Sequence, residues 1–318
     1  IAYCYKWTNA WAKKEGIKIP SLKTFERHIK TDIPDAVLER YRGSEEGYNR
    51  NYRPYLERDY SHLNSNDIWV ADNHTLDFMC NAEGKIKRLY LSLYIDARSR
   101  MPMCWGVSES INADIVLDVL RTGWSRRGIP KAIMMDNGRE FLTKDITETL
   151  GYRKSKPIPD VEKVQSVFEE LDIEPIICKP KRGQEKPIER AFLNVKKWFS
   201  KLFDSYIGGN TQERPDNSKD SAKYIGSMDT DEDVKKFLSK FIEGYVPFQG
   251  HRGSGLGGNK PFDVYSENLE SVRKMSDEQL KRATARRTKA LKIRENGITF
   301  STGYGNFSYF VPEMVLKN

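Results

Sequence analysis

The sequence predicts an α/β fold built on one mixed sheet, with a helical unit before it and a small β unit after it. Three observations predict this. Between Ile68 and Phe203 short apolar strands alternate with amphipathic helices in the order β-β-β-α-β-α-β-α, which puts antiparallel and parallel strands into one layer. Residues 1–45 show helical periodicity. Residues 285–318 alternate apolar and polar side chains, the period of a half-buried strand.

Composition sets the broad class. With 318 residues, 38% hydrophobic and 31% charged, the chain is long enough for two or three globular domains. No apolar run approaches the roughly 18–20 residues a membrane span needs, and the N-terminus lacks a charged-then-apolar signal pattern. Ile1 falls inside what already reads as a helix, as in a fragment of a longer protein, and the expected location is cytoplasmic. A net charge of +8 favours a polyanionic partner, nucleic acid first. Cys4, Cys80, Cys104 and Cys178 are scattered without a C-x-x-C pair. His28, His62, His74 and His251 offer no zinc-finger spacing, so the cysteines read as reduced core residues.

Taken in order, residues 1–45 hold a helix from Tyr3 to Glu15 stopped by Gly16, and a second opened by Ser21 as N-cap. Leu22, Phe25 and Ile29 give the second helix an apolar side, and the pair fits a helix-turn-helix DNA reader as well as a plain bundle. Residues 46–66 are polar and turn-rich, with basic and aromatic residues interleaved, and read as a linker. The core is expected over residues 67–265. Ile68–Cys80, Lys87–Asp96 and Met101–Val107 read as a three-stranded meander. A helix over residues 112–127 follows, with Ile115, Val116, Val119, Leu120 and Trp124 on one face and Gly128 as its stop. Ala132–Met135 is apolar throughout, as a buried central strand would be. A helix over residues 161–171 and the strand EPIIC lead to an amphipathic helix whose apolar face is Ile188, Phe192, Val195, Phe199 and Leu202. Residues 231–245 form another such helix, and residues 266–284 connect to the all-β unit, where Asn296-Gly297 is the expected hairpin turn.

Three acids sit where this topology would gather them. Asp72 lies in the first strand, Asp136 ends the fourth, and Glu189 opens the helix after the fifth. Functional groups in open α/β sheets collect beyond the carboxyl ends of strands, and hard carboxylate oxygens suit two divalent ions that activate and stabilise the oxygens of a phosphodiester. Each acid alone has a plainer reading: a turn cap at Asp72, a strand-to-loop turn at Asp136-Asn137-Gly138, a solvated helix face at Glu189. Asp96, Glu140 and Glu185 are rivals, the last sharing a helical face with Glu189, while Asp77, five residues after Asp72, is expected on the opposite sheet face. Lys181, Arg182, Lys186 and Arg190 surround Glu189, and Lys281, Arg282, Arg286, Arg287 and Lys289 form a second basic run suited to tracking phosphates.

The stretches WVADNHT, MMDNGREF and RGQEKPIERAF resemble the three acidic motifs of the DDE transposase and retroviral integrase superfamily. The G-Q-x-K-P-x-E-R form of the third is most similar to the bacteriophage Mu transposase family, in which the acid before Arg is catalytic; that selects Glu189 over Glu185. The intervals of 64 residues from Asp72 to Asp136 and 53 from Asp136 to Glu189 suit Mu-type members. RPDNSKDSAKY and GLGGNKPFDVY resemble segments placed similarly in that family, whereas YVPFQGHRG departs from a common pattern and leaves His251 and Arg252 without a carried-over role.

This resemblance implies an RNase H-like core, a small β-barrel over residues 285–318, and Asp72, Asp136 and Glu189 as ligands of two Mg²⁺ ions, with Mn²⁺ able to substitute. It implies a DNA transposase that nicks transposon or phage DNA ends and joins the 3′-hydroxyl to target DNA. It further implies double-stranded DNA as partner, a homo-oligomer, typically a tetramer, and an AAA+ ATPase that delivers target DNA, in a bacterial or phage-encoded setting. The alternatives are an RNase H-like nuclease or integrase limited to hydrolysis, and a non-catalytic transposase-derived DNA-binding protein.

Overall fold

The computed structural model describes residues 1–52, 59–136, 138, 141, 146, 166–178, 186–209, 213, 228–250, 255–285, 297–302 and 305–310. The chain divides into two units, Ile1–Glu57 and Arg58–Asn318.

The first unit consists of helices α1 (Ala2–Lys14), α2 (Leu22–Asp32), α3 (Asp35–Arg42) and α4 (Glu45–Asn51). Gly16, with φ of 66°, takes the left-handed conformation that ends α1 without a Cβ penalty. The Ser21 hydroxyl accepts the Thr24 amide and starts α2. Tyr5 joins the two helices, donating to the Pro20 carbonyl at 2.9 Å and meeting Phe25 edge-on at 5.6 Å. The residues expected to form a linker instead begin with α4, capped by Ser44, on which Tyr48 receives the Arg40 guanidinium over its ring. Their polarity misleads because a short helix satisfied by caps and one cation–π contact needs little apolar surface. The other end of that supposed linker belongs to the second unit: Tyr60 is buried, and Ser65 and Asn66 are buried and hydrogen-bonded into it.

The second unit is organised by a five-stranded sheet. β1 (Ile68–Thr75) stops five residues short of the predicted end, and Cys80 instead opens a separate hairpin, β2 (Cys80–Ala82) and β3 (Lys85–Lys87). That hairpin turns through Glu83 and Gly84, both at positive φ, as tight two-residue turns require. β4 (Tyr90–Asp96) and β5 (Pro102–Ser108) complete the expected antiparallel meander. Asp96, fully buried, accepts the amides of Asn66 and Ser99 and the Ser99 hydroxyl, so this rival acid serves the β4–β5 turn.

α5 (Ala113–Arg127) is capped by Asn112 and stopped by Gly128 at φ 85°. It lies close on β5: a Cβ on Gly123 would stand 2.7 Å from the Cβ of Cys104. β6 (Ala132–Met135) is wholly buried, α6 (Val167–Glu170) carries a capping box, and β7 (Glu174–Ile177) ends the sheet, whose order is β5-β4-β1-β6-β7. β4 runs antiparallel to β1, while β6 and β7 run parallel to it.

α7 (Ile188–Asn194) passes into a π-helical turn at Val195–Phe199 and a 3-10 turn at Ser200–Leu202. The π turn inserts one residue into the helical count, so Leu202, predicted to be apolar-facing, is 77% exposed and Phe203 is buried in its place. α8 (Asp231–Ser239) likewise runs into a π turn at Lys240–Tyr245, and α9 (Pro261–Glu267) and α10 (Asp277–Ala283) follow.

Among the described residues the C-terminal region shows two strands, β8 (Ile298–Thr302) and β9 (Gly305–Tyr309), and the rest of the expected β-barrel lies outside them. The strands pair antiparallel with Thr302 opposite Gly305, so the expected turn at Asn296-Gly297 precedes β8 rather than joining the two.

Two cores flank the sheet. Trp69, Ala71, Ile133 and Met135 point to α5, meeting Val116, Leu120 and Trp124. Val70, Leu91, Leu93 and Met134 point the other way, to Ile188, Phe192 and Val195 of the α7 segment. Alternate residues of one strand face opposite sides, so Asp72 and His74 share the α7 face with Val70.

Candidate active site

The site is assembled at the carboxyl end of β1, under the first turn of α7. β1 and β6 are parallel, with Ile68 beside Ala132 and Val70 beside Met134. Asp72 lies two residues beyond the last paired residue of β1, Val70, and Asp136 two beyond its partner Met134, just after β6 ends. The 64-residue interval seen in the sequence is therefore the register of two neighbouring strands. Asp72 is half-buried, and one of its oxygens accepts the Asn73 amide at 2.9 Å. Asp136 is also half-buried and accepts the Gly138 amide at 2.8 Å, so it makes the turn expected of an Asp-x-Gly and still ends its strand beside Asp72.

Glu189 sits in the first turn of α7, where the helix dipole favours an acid. Desolvation, and after it the negative charge of Asp72, holds its carboxyl above the ordinary carboxylate range, while Lys186 pulls it down. Lys186 is buried at the start of the helix, and Arg190 is exposed. Carboxylate oxygens are the ligands a hard divalent cation takes. Among the described residues no three His, Cys, Asp or Glu side chains stand close enough together to hold one ion. The site as described is therefore Asp72 on β1, Asp136 after β6 and Glu189 in the first turn of α7.

Asp77 corrects an expectation. β1 ends at Thr75, so the strand period does not carry to Asp77, which instead returns to the α7 side. It is 1% exposed, accepts from Arg88 at 3.0 Å, and stands 3.9 Å from His74. His74 stacks on Phe192 of α7 with ring centroids 5.1 Å apart. Burial holds its imidazole below the usual value, with Asp77 opposing and Arg88 and Lys196 adding to the lowering. Sequence reasoning set Asp77 on the opposite face and gave His74 no role at the site; the signal was present in His74 falling two residues after Asp72 on the same strand face.

Other predicted residues fall elsewhere. Lys181, Arg182, Arg286, Arg287 and Lys289 lie outside the described residues, as do Glu140, Glu185, His251 and Arg252. Lys281 and Arg282 are exposed on α10, and Lys281 lines a shallow groove with Arg121, Ser125 and Arg126 of α5. Among the described residues no helix is long and apolar enough to cross a membrane.

With this geometry in view, two family models match the chain. Residues 62–182, which include β1 and β6, match the integrase core domain, and residues 1–58 match the Mu DNA-binding I gamma subdomain. Over 226 residues, 68% of this chain, the sequence is 29% identical to the Mu-like prophage FluMu transposase A of Haemophilus influenzae; the chain spans about a third (33%) of that relative's length. Solved structures with a similar course include the HTLV-2 integrase catalytic core domain in complex with magnesium. Its dimeric form has a TM-score of 0.39 and its trimeric form 0.40, each at 14% identity over 65% of this chain and 99% of that one. The simian T-cell lymphotropic virus intasome in complex with the PP2A regulatory subunit B56 gamma gives 0.36, at 15% identity over 63% of this chain and 66% of that one.

Proposed function

We propose that the chain, whose residues 1–58 match a Mu DNA-binding I gamma subdomain and 62–182 an integrase core domain, is a Mu-like transposase that cleaves transposon or phage DNA ends and joins them to target DNA. What supports this reading is the placing of Asp72 on β1, Asp136 just after β6, the parallel neighbour of β1, and Glu189 in the first turn of α7. In the first step water adds to the phosphorus at the DNA end and the bond to the 3′ oxygen breaks, leaving a 3′-hydroxyl and a 5′-phosphate. In the second that hydroxyl attacks a target phosphodiester in line, forming a new 3′-O–P bond and releasing a target 3′-hydroxyl. No covalent bond to the protein is needed.

Asp72, Asp136 and Glu189 would hold Mg²⁺, two ions in the full site, with Mn²⁺ able to substitute. When bound, the metal activates the attacking oxygen and relieves charge on the phosphorus. Lys186 favours the ionised form of Glu189, and Arg190, Lys181 and Arg182 would pair with phosphate oxygens beside it. Lys281 and Arg282, followed by Arg286, Arg287 and Lys289, would track the duplex backbone. The partners proposed are double-stranded DNA, further copies of the chain in a tetramer on paired ends, and an AAA+ ATPase that supplies target DNA. The setting is the bacterial cytoplasm.

The test incubates the protein with the ends of its own element and a supercoiled target plasmid in Mg²⁺. Nicked ends and joined products are expected; both should vanish with a chelator and with Glu189→Gln, while DNA binding persists. Cleavage without joined products would identify a hydrolytic nuclease, and full activity in Glu189→Gln would overturn the assignment of the site.

A further inference from the structure

We propose that His74, held between Asp77 and Phe192, is a positioning residue that sets the separation of Asp72 and Glu189. Its catalytic consequence rests on the transposase reading; the geometry stands apart from it. β1 and α7 meet at two neighbouring points. Asp72 and His74 lie two residues apart on one strand face, about 6.6 Å along β1. Glu189 and Phe192 lie three residues apart on α7, about 4.5 Å along its axis and on nearly the same side.

The first point holds the two acids, Asp72 on β1 and Glu189 on α7. At the second the His74 and Phe192 rings stack at 5.1 Å with an interplanar angle of 26°. This ring contact, one step along the seam, holds α7 against β1 and so fixes the spacing of the two elements that carry the acids.

What keeps the His74 ring in place is also visible. Asp77 is buried, and its Oδ1 is anchored by Arg88, whose Nε donates to the Leu76 carbonyl at 2.8 Å. Its Oδ2 faces His74 Nε2 at 3.9 Å, and neither atom has a hydrogen-bond partner among the described residues. The chain beyond α7 returns to the same anchor, with the Ile207 amide donating to the Asp77 carbonyl at 2.8 Å. The helix bearing Glu189 is thus tied to the Asp77 segment on both sides of its length.

The test compares the full chain with His74→Ala and His74→Phe by hydrogen exchange, Mn²⁺ calorimetry and single-turnover end cleavage. In His74→Ala, exchange of the α7 amides should rise about tenfold while that of α5 is unchanged. Mn²⁺ binding and cleavage should each weaken by about tenfold or more, as when a group supporting a metal ligand is lost. His74→Phe, which keeps the ring, should restore most of the α7 protection. Unchanged α7 exchange in His74→Ala, or a rise shared equally by α5, would overturn the proposal. Should His74→Ala not fold, Phe192→Leu removes the same contact from the helix side and is read in the same way. If the parent chain neither cleaves nor joins DNA, the transposase reading fails while exchange and Mn²⁺ binding still decide the positioning role.

Discussion

On the α5 side of the sheet Trp69, Ala71, Ile133 and Met135 meet Val116, Leu120 and Trp124 in an apolar seam that runs the length of the strands. On the α7 side the same strands start alike, with Val70 and Met134 beneath Ile188 and Phe192, and then present Asp72 and His74 toward the helix. One face is all burial; the other gives up burial at the strand ends to hold charge. The difference teaches how two faces of one sheet divide their work. The α5 face fixes the sheet by burial alone, which leaves the α7 face able to carry polar side chains at the strand ends.

Substitutions on the two faces should therefore separate stability from activity. Asp72→Asn should cost about a thousandfold in end cleavage while leaving the melting temperature no lower than the parent's. Trp124→Ala on the opposite face should do the reverse, lowering stability by about 3–5 kcal/mol with the activity of the folded fraction intact. Denaturant titration and single-turnover cleavage on the same samples would check both. A loss of activity per folded molecule in Trp124→Ala would join what we have described as separate.

A smaller contrast sharpens the α7 side itself. Phe203, which stacks on Phe78 at 3.8 Å, should cost about 3–5 kcal/mol when changed to Ala, whereas exposed Leu202→Ala should stay within about 0.5 kcal/mol. Equal costs would mean that the π turn does not shift the helical register.

The smallest effect concerns pH. Because the folded-state pKa of Glu189 lies above its unfolded value, the folded chain holds that proton more tightly, and ionising it costs stability. The cost sets in as pH rises through the ordinary Glu range to the raised folded value and persists above it. Glu189→Gln should accordingly raise the melting temperature at neutral pH by about 1–2 °C, a gain that disappears below the ordinary Glu range. Adding Mg²⁺ should stabilise the parent more than the variant, reversing their order.

Much of the fold was legible because it is written in local periods. The AIMM run reads as a buried strand and is β6; Asn112 and Gly128 read as the ends of a helix and are the cap and stop of α5. That β1 and the AIMM strand are parallel neighbours offset by 64 residues, the interval between Asp72 and Asp136, became visible only with the sheet. Less legible was α4, whose polar residues carry no apolar stripe, and the break after Thr75, where DFMC continues to look like strand. The pairing of Thr302 with Gly305 was hidden behind Asn296-Gly297 in a sequence that alternates across both.

By itself the sequence determined the kinds of element, their order along the core, and the placing of Asp72 in the first strand and Asp136 at the end of the buried one, because each depends on counting residues along one or two regular strands and helices. Tertiary structure decided which side Asp77 occupies, that Phe203 rather than Leu202 is buried, and that His74 stacks on Phe192 beside the acids. Those outcomes arise where a regular element ends or gains a residue. Beyond such a point the period no longer predicts direction, and packing against distant parts of the chain does.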